Sequence, residues 1–398
     1  QGYRNQLAIP SCTLVMDKMV FRSWSYDFVG FQCSRTGQCR SNYSHPQGRG
    51  GILESIRVLV TGAGSGVGQG VIKSLHASSL ALNVVSADIS PFNTGLYRTS
   101  ESILIPKVED SGAREEISEI IVKNSIDILM VGSEFELAFF SRYKDEIESD
   151  TGALIVASPL ETVEISNDKW LSTEFLKKNN LPYAEAYVPG NLDECTDKAR
   201  DWGFPLVFKT RAGTSNRHVH IVKDIDSLAR VYESVPNPMM QQLINMPSNE
   251  LNAEYTCSIF KTKDDQLLGP FTARRTLKGG NSWIVEVGHF EEFHPLLTSI
   301  GTLLPSMGTL NIQLMLGDEG PVPFEFNARF SGTTAVRSYF GFNEPEMTVR
   351  SFYMGESLQN VSYRAGISFR YLEEVFLEDK SVETLSIPSS KGTKVKWF

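Results

Sequence analysis

The chain is 398 residues long, with 41% hydrophobic and 21% charged residues and a formal net charge of -9, ordinary values for a globular protein large enough for two or three domains. The acidic balance argues against nucleic acid or an anionic membrane surface as the main partner, and no apolar run is long enough to span a bilayer. Of the five cysteines, Cys12, Cys33 and Cys39 lie near the N-terminus while Cys195 and Cys257 stand apart. That spacing suggests neither a zinc site nor a disulfide framework, so the expected compartment is the cytoplasm.

Residues 1–54 carry Ser, Arg, Gly, Gln and aromatics without sustained period, and SNYSHPQGRGG at 41–51 is linker-like. They read as a poorly ordered or accessory extension. A start at Gln1 without a charged-then-apolar leader pattern reads as a fragment or an unusual beginning. From Ile56 the pattern becomes regular. IRVLV is a buried strand, GAGSGVGQGVIKSL opens a helix, LNVVSAD is a second strand, and helix and strand signals alternate through IDILMVG and ALIVAS. Such alternation predicts a parallel sheet covered by helices over 55–166.

The loop VLVTGAGSGVGQG, with Gly62, Gly64, Gly66 and Gly68, follows a strand and opens a helix, the setting of a dinucleotide fingerprint. Asp88 ends the next strand, where an acid would meet a ribose. A nicotinamide oxidoreductase is therefore one reading of the 62–68 loop. A short-chain dehydrogenase would also need a Tyr with a Lys four residues later, and none of the 13 tyrosines has one. The other reading is a tight strand-to-helix turn in a Rossmann-like domain without nicotinamide.

A helix from about Asp168 to Asn179 follows, capped by Ser166 or Asn167. Next come a helix around Asp193–Trp202, the strand FPLVFKT, the turn RAGTSNRH, the strand VHIVK, a helix in DIDSLARVYESV and the strand MMQQLI. Antiparallel strands with one helix near Pro295–Leu304 continue to about Arg350, an α+β pattern. The tail holds the strand-like pieces FRYLEEVFL and KVKWF.

The segment NIQLMLGDEGPVPFEFNARFSGT, 311–333, reads as a hairpin folded at GDEGP. Side chains alternate across a strand, so Glu325, Asn327 and Arg329 share one face, and Phe324, Phe326, Ala328 and Phe330 share the other. Asn311, Gln313 and Met315 alternate with Ile312, Leu314 and Leu316 in the same way. One carboxylate and two amide oxygens, Glu325, Asn327 and Gln313, suit magnesium, which takes one or two protein carboxylates and the rest from phosphates and water. Arg329 can reach the same phosphates with a planar fork. The alternative is a half-exposed hairpin with a polar outer face. Lys209 ends PLVFK before a turn whose Gly213, Ser215 and amides could fold over phosphate oxygens, and Lys169 begins a helix.

The ordered series VLVTGAGSGVG, GSEFELAFF, SNDKW, FPLVFKTRAGTS, MMQQLI, AEYTCSI, ARR, NIQ and FEFNARFSG resembles the ATP-grasp superfamily, in members similar to the carbamoyl-phosphate synthetase large subunit. The resemblance covers about 56–355. It implies a Rossmann-like pre-ATP-grasp domain at 55–166 and a two-lobed ATP-grasp domain at 167–360 with its lid lobe at about 180–240; the extension at 1–54 and the tail at 361–398 have no counterpart in it. It further implies that Lys169 and Lys209 bind ATP phosphates under a 210–218 lid carrying Ser215, and that Gln242, Leu243 and Ile244 hold adenine. Glu254 falls at the ribose, Gln313, Glu325 and Asn327 at magnesium (with manganese as an alternative), and Arg329 at the transferred phosphate. In the lid, Asn216 and His218 stand where the family often has glycine, and the long INMPSNELNA leaves Glu250 as a rival ribose ligand.

The implied activity is a carboxylate–amine ligase that forms an amide through an acyl phosphate and releases ADP and phosphate. Positioning and charge neutralisation supply most of such catalysis. Arg274 and Arg275, near Gly279 and Gly280, are candidates for the substrate carboxylate, their alternative being an exposed strand end. The expected partners are a small-molecule carboxylate and amine, with a homodimer left open. A non-catalytic binding protein of the same fold is a third reading.

Overall fold

The first half of the described chain is an alternating α/β layer. Strand β1 (Ile56–Val60) leads through a glycine loop into helix α1 (Gly66–His76); β2 (Leu82–Asp88), β3 (Glu101–Leu104), α2 (Ala113–Lys123), β4 (Ile128–Met130), α3 (Glu134–Arg142), α4 (Lys144–Thr151) and β5 (Leu154–Val156) follow. This computed structural model describes residues 55–213, 218–244, 250–251, 254–378, 380–382, 385 and 392. The expected extension at 1–54 lies outside them, as do Ser215, Asn216 and all of KVKWF. From Glu54 onward the chain is one compact unit.

The five strands are parallel in the order β3-β2-β1-β4-β5. Their near-continuous apolar runs follow from burial on both faces. Leu59, Val85, Leu129 and Ile155 pack with Ile117, Phe140 and Ile147 of the helices on one side. Val58, Val60, Ile128 and Met130 pack with Val71 and Ile72 of α1 on the other, joined there by Phe330 and Val349 from far downstream.

Helices α5 (Leu160–Asn167) and α6 (Lys169–Lys178) join this layer to the rest. Asp168, not Ser166 or Asn167, caps α6: its carboxylate accepts from the amides of Trp170 at 2.8 Å and Leu171 at 3.3 Å. The expected caps are consumed by the preceding helix, and Asp168 alone has the extended backbone a cap requires.

A small sheet follows, β6 (Ala186–Tyr187), β7 (Leu206–Thr210), β8 (Val219–Val222) and β9 (Pro238–Gln242) in the order β6-β9-β7-β8, with α7 (Leu192–Trp202) and α8 (Ile225–Tyr232) against it. The large antiparallel sheet contains β10 (Glu254–Lys261), β11 (Leu267–Phe271), β12 (Ala273–Lys278), β13 (Asn281–Val287), β14 (Gly308–Gly317) and β15 (Gly320–Asn327). Helix α9 (His294–Leu303) precedes β14, α10 (Thr334–Tyr339) and α11 (Glu344–Thr348) follow β15, and β16 (Gly366–Phe369) closes the edge. The order is β15-β14-β10-β12-β13-β16, with β11 beside β10. The sheet therefore extends past 360, taking Gly366–Phe369 into its edge by pairing with β13, and of the strand-like FRYLEEVFL only Phe369 lies in that strand.

One face of β10, β14 and β15 is the expected apolar floor: Cys257, Ile259, Ile312, Leu314, Phe326 and Ala328 pack on Leu297 and Ile300 of α9 and on Leu176 of α6. Two of the expected floor residues sit elsewhere. The register shifts after Gln313, where Gln313 faces Glu325 but Leu314 faces Pro323. The extra residue, Phe324, is left on the cleft side beside Glu325. Phe330 lies beyond the strand and joins the core beneath the first sheet.

Candidate active site

The polar face of the hairpin opens onto a cleft of about 290 Å³. Glu325 Oε1 accepts from Gln313 Nε2 at 3.1 Å and from Asn327 Nδ2 at 3.0 Å. The amide oxygens of the same residues face arginines: Gln313 Oε1 accepts from Arg275 Nη2 at 2.9 Å, and Asn327 Oδ1 from Arg329 Nη2 at 2.8 Å. Gln313 and Asn327 are buried, so these oxygens are fixed by the sheet rather than left to solvent. One carboxylate with two amide oxygens fits a magnesium ion that keeps water and phosphate in its remaining positions. Among the described residues there is no cluster of three His, Cys, Asp or Glu that could hold a different, all-protein metal centre.

Arg329 forms a second link. Its Nη2 also donates to Glu134 Oε2 at 2.5 Å and its Nη1 to the Phe330 carbonyl at 2.9 Å. Its Nε is buried and has no hydrogen-bond partner among the described residues. An unpaired buried donor is unfavourable unless something arrives to accept it. Glu134 starts α3, so the parallel-sheet layer reaches into the cleft, and Ser65, Gly66 and Val67 at the head of α1 line it as well.

The two strand arginines diverge. Arg275 lines the cleft and forms an ion pair with Glu254, its Nε donating at 2.8 Å. Arg274, one residue earlier on the strand, pairs with Glu286 at 3.0 Å and lies over the ring of Phe290, outside the cleft lining. Glu254 is thereby held beside Gln313, at the hairpin end of the cleft, because the antiparallel register sets it opposite Arg275.

Lys209 is almost fully buried and donates to Gln241 Oε1 at 2.6 Å. Burial pushes its pKa down to about 7; nearby Lys169 adds to the depression and Glu325 opposes it. These couplings bring both lysines and the hairpin carboxylate into one electrostatic neighbourhood. Lys169 Nζ donates to the Gly213 carbonyl at 2.9 Å, and Asp168 binds Arg211 with Nη2–Oδ2 at 2.5 Å. The foot of the expected lid is thus tied to the head of α6. Gln242 is the last residue of β9, and its amide donates to Glu185 O at 2.8 Å. Leu243 and Ile244 leave the strand half-buried, with Ile244 close to Gly317. Glu250 is described, but Asn252 and Ala253, between it and Glu254, are not.

Three groups escaped the sequence reading. Gln241 and Glu134 stand inside quoted motifs, but nothing in their spacing marks an inward direction. Arg370, in the tail, donates to the Gly332 carbonyl at 2.8 Å and has no carboxylate within ion-pair distance among the described residues. Burial lowers its pKa. It borders a second cavity of about 650 Å³ that shares Gly66, Ser282 and Gly332 with the first and has Trp283, Tyr339 and Phe369 in its wall.

The glycine loop is closed on itself. The Gly64 amide donates to Asp88 Oδ2 at 2.7 Å, and Asn93 Nδ2 donates to Asp88 Oδ1 at 2.5 Å, so the acid expected at a ribose is used internally. A Cβ on Gly68 would fall 2.3 Å from the Gly62 carbonyl, which shows how tightly loop and helix are packed.

No protein-family profile matches the chain. It is 25% identical over 303 residues to a phosphoribosylamine–glycine ligase of Caldanaerobacter subterraneus subsp. tengcongensis, covering 69% of each chain. It is 22% identical over 311 residues to the carbamoyl phosphate synthase large chain of Helicobacter pylori, covering 71% of this chain but only 27% of that one. Among solved structures it is similar to N5-carboxyaminoimidazole synthetase from Staphylococcus aureus complexed with ADP, with TM-score 0.62, 14% identity and coverage of 78% and 81%. It is also similar to the biotin carboxylase domain of the Hydrogenobacter thermophilus 2-oxoglutarate carboxylase with MgADP and bicarbonate, with TM-score 0.61, 16% identity and coverage of 76% and 70%.

Proposed function

We propose that this chain, an ATP-grasp protein by fold and by its relatives, is an ATP-dependent carboxylate–amine ligase that forms an amide through an acyl phosphate and releases ADP and phosphate. The observation that carries the reading is the hairpin cluster: Gln313 and Asn327 both donate to Glu325 Oε1, with Arg329 beside them holding an unused buried donor. Phosphoryl transfer asks for charge neutralisation and alignment more than for covalent chemistry by the protein, and this cleft supplies both. Bound magnesium, or manganese in its place, would neutralise charge on the terminal phosphates, with Glu325, Gln313 and Asn327 as its protein ligands. Lys209 and Lys169 hold the remaining phosphate oxygens, with Ser215, outside the described residues, as a further candidate ligand to them, and Leu243 and Ile244 with the Gln242 backbone seat the adenine.

Glu254 supports the Arg275 guanidinium by its ion pair, which leaves Glu250 the better candidate for the ribose. Arg275 is favoured over Arg274 for the substrate carboxylate because it alone lines the cleft. Arg329 takes the transferred phosphoryl. The second cavity offers room for the body of the carboxylate substrate, and no helix among the described residues is long and apolar enough to cross a membrane. Small-molecule chemistry on ATP and two buried free thiols, Cys195 and Cys257, suit the cytoplasm. Four of the solved structures similar in fold carry bound ADP.

The test is an ADP-release screen across amino acids, hydroxy acids and sugar acids, singly and in pairs. ADP and phosphate are expected only when a carboxylate, an amine and magnesium are present together, and hydroxylamine should trap a hydroxamate. Release of AMP and pyrophosphate would overturn the mechanism. Glu325→Gln should abolish turnover without loss of fold, and full activity in that variant would refute the metal assignment.

A further inference from the structure

A ligase of this kind must solve a problem that the nucleotide site does not address. An amine reaches the enzyme as an ammonium ion near neutral pH, and it has no lone pair with which to attack until a proton leaves. The proton acceptor has to lie within hydrogen-bond reach of the attacking nitrogen, next to the phosphoryl group that departs. The cleft contains three carboxylates, Glu254, Glu325 and Glu134. Glu254 is engaged by Arg275 through Nε and Nη2. Glu325 accepts from both amide ligands at the metal point.

Glu134 is placed differently from both. It comes from the parallel-sheet layer, at the first turn of α3, and meets the hairpin from the opposite wall of the cleft. Its side-chain hydrogen bond among the described residues is from Arg329 Nη2 at 2.5 Å, and its side chain keeps 23% of its surface open. Arg329 Nε, on the same guanidinium, is the buried donor still without an acceptor. A phosphoryl oxygen on Nε would leave the Nη2–Glu134 bond in place, so the carboxylate stands one guanidinium width from the leaving group. Its helical neighbour Glu136 is no rival: it is buried, bonded to Thr61 Oγ1 at 2.6 Å on the other side of the helix, and burial pushes its pKa up to about 7.

We propose that Glu134 is a catalytic residue that binds the ammonium of the amine substrate across the cleft from the metal hairpin and accepts its proton as the carbon–nitrogen bond forms. This rests on the ligase reading above. The sequence of bonds is as follows in chemical terms. A carboxylate oxygen attacks the γ-phosphorus and ADP leaves. The amine gives one proton to Glu134, its lone pair attacks the acyl carbon, the carbon–oxygen bond to phosphate breaks, and the departing phosphate takes the second proton. Around Glu134 the charged groups facing the cleft are Arg329, Arg275, Glu254 and Glu325.

Hydroxylamine separates the two halves of this chemistry, because it is largely unprotonated at neutral pH and needs no base. The experiment compares wild type and Glu134→Gln, using the carboxylate that the ADP-release screen selects and either ammonium, glycine or hydroxylamine as nucleophile, from pH 6.5 to 9.5. In the variant, amide formation with ammonium or glycine should fall about 100-fold further than hydroxamate formation at neutral pH and recover as pH rises and free amine accumulates. Equal loss of hydroxamate and amide would assign Glu134 only to positioning Arg329 and overturn the proposal, as would unchanged amide formation. Absence of hydroxamate in wild type would overturn the ligase reading itself, and this inference with it.

Discussion

Lys209 is 5% exposed with its ammonium against a single amide oxygen, an environment that favours the neutral amine. Burial is the first cause of its pKa of about 7, Lys169 the second, with Glu325 opposing. A bound nucleotide brings negative phosphates to the same place and raises that pKa. Above pH 7 binding must therefore take up a proton, and affinity should fall as pH rises, approaching tenfold per pH unit, while staying level below about pH 7. Calorimetry of MgADP binding in two buffers of different ionisation enthalpy measures the uptake directly. Lys209→Met should bind more weakly and lose the slope, and a slope that survived in that variant would place the titrating group elsewhere. A lysine at the end of PLVFK was legible as a candidate because strand ends meet ligands. Its partner Gln241 was not, since both glutamines of MMQQ have the same composition and only the pairing of β7 with β9 decides which one points inward.

The hairpin was the most legible element, because a period of two fixes which side chains share a face before any partner is known. The misplaced Phe324 marks the limit of that rule. A bulge at Gln313/Leu314, opposite a strand with two prolines at the edge of the sheet, resets the alternation. What holds the hairpin down is a buried network that sequence could not show. Arg337 of α10 and Glu344 of α11 are fully buried at 3.0 Å, Arg337 Nη2 reaches Asn311 of β14 and Thr256 of β10, and Ser258 donates to Glu344 at 2.5 Å. Removing one member leaves an uncompensated buried charge, which typically costs about 3–5 kcal/mol. Arg337→Met should therefore lower stability by that order in urea denaturation, whereas Arg337→Met with Glu344→Met should recover much of the loss. A double variant as unstable as the sum of the singles would mean that the two side chains act independently.

At the scale of the whole molecule, the parallel-sheet layer and the antiparallel sheet converge on one cleft, and this settles the use of the glycine loop better than its spacing could. As a motif, VLVTGAGSGVG admits a nicotinamide cofactor and an ATP-grasp ligase alike, because the glycines answer to the strand-to-helix turn that both share. The difference lies in long-range packing. Asp88 is occupied by the Gly64 amide and Asn93, while Ser65, Gly66 and Val67 face across to Arg329 and Asn281. The loop thus contributes its helix end to the cleft, while the acid expected at a ribose is engaged within the loop itself. MgATP should raise the melting temperature by the linkage of binding to folding, about 2.7 kcal/mol of stabilisation at a hundred times its dissociation constant, and millimolar NADPH should leave it unchanged. Asp88→Ala offers the sharper contrast. Losing the acceptor for the Gly64 amide should loosen the loop and lower stability in either reading, but only a nicotinamide site would lose a cofactor response along with it. A thermal shift with NADPH in wild type that disappears in Asp88→Ala would return the loop to dinucleotide binding.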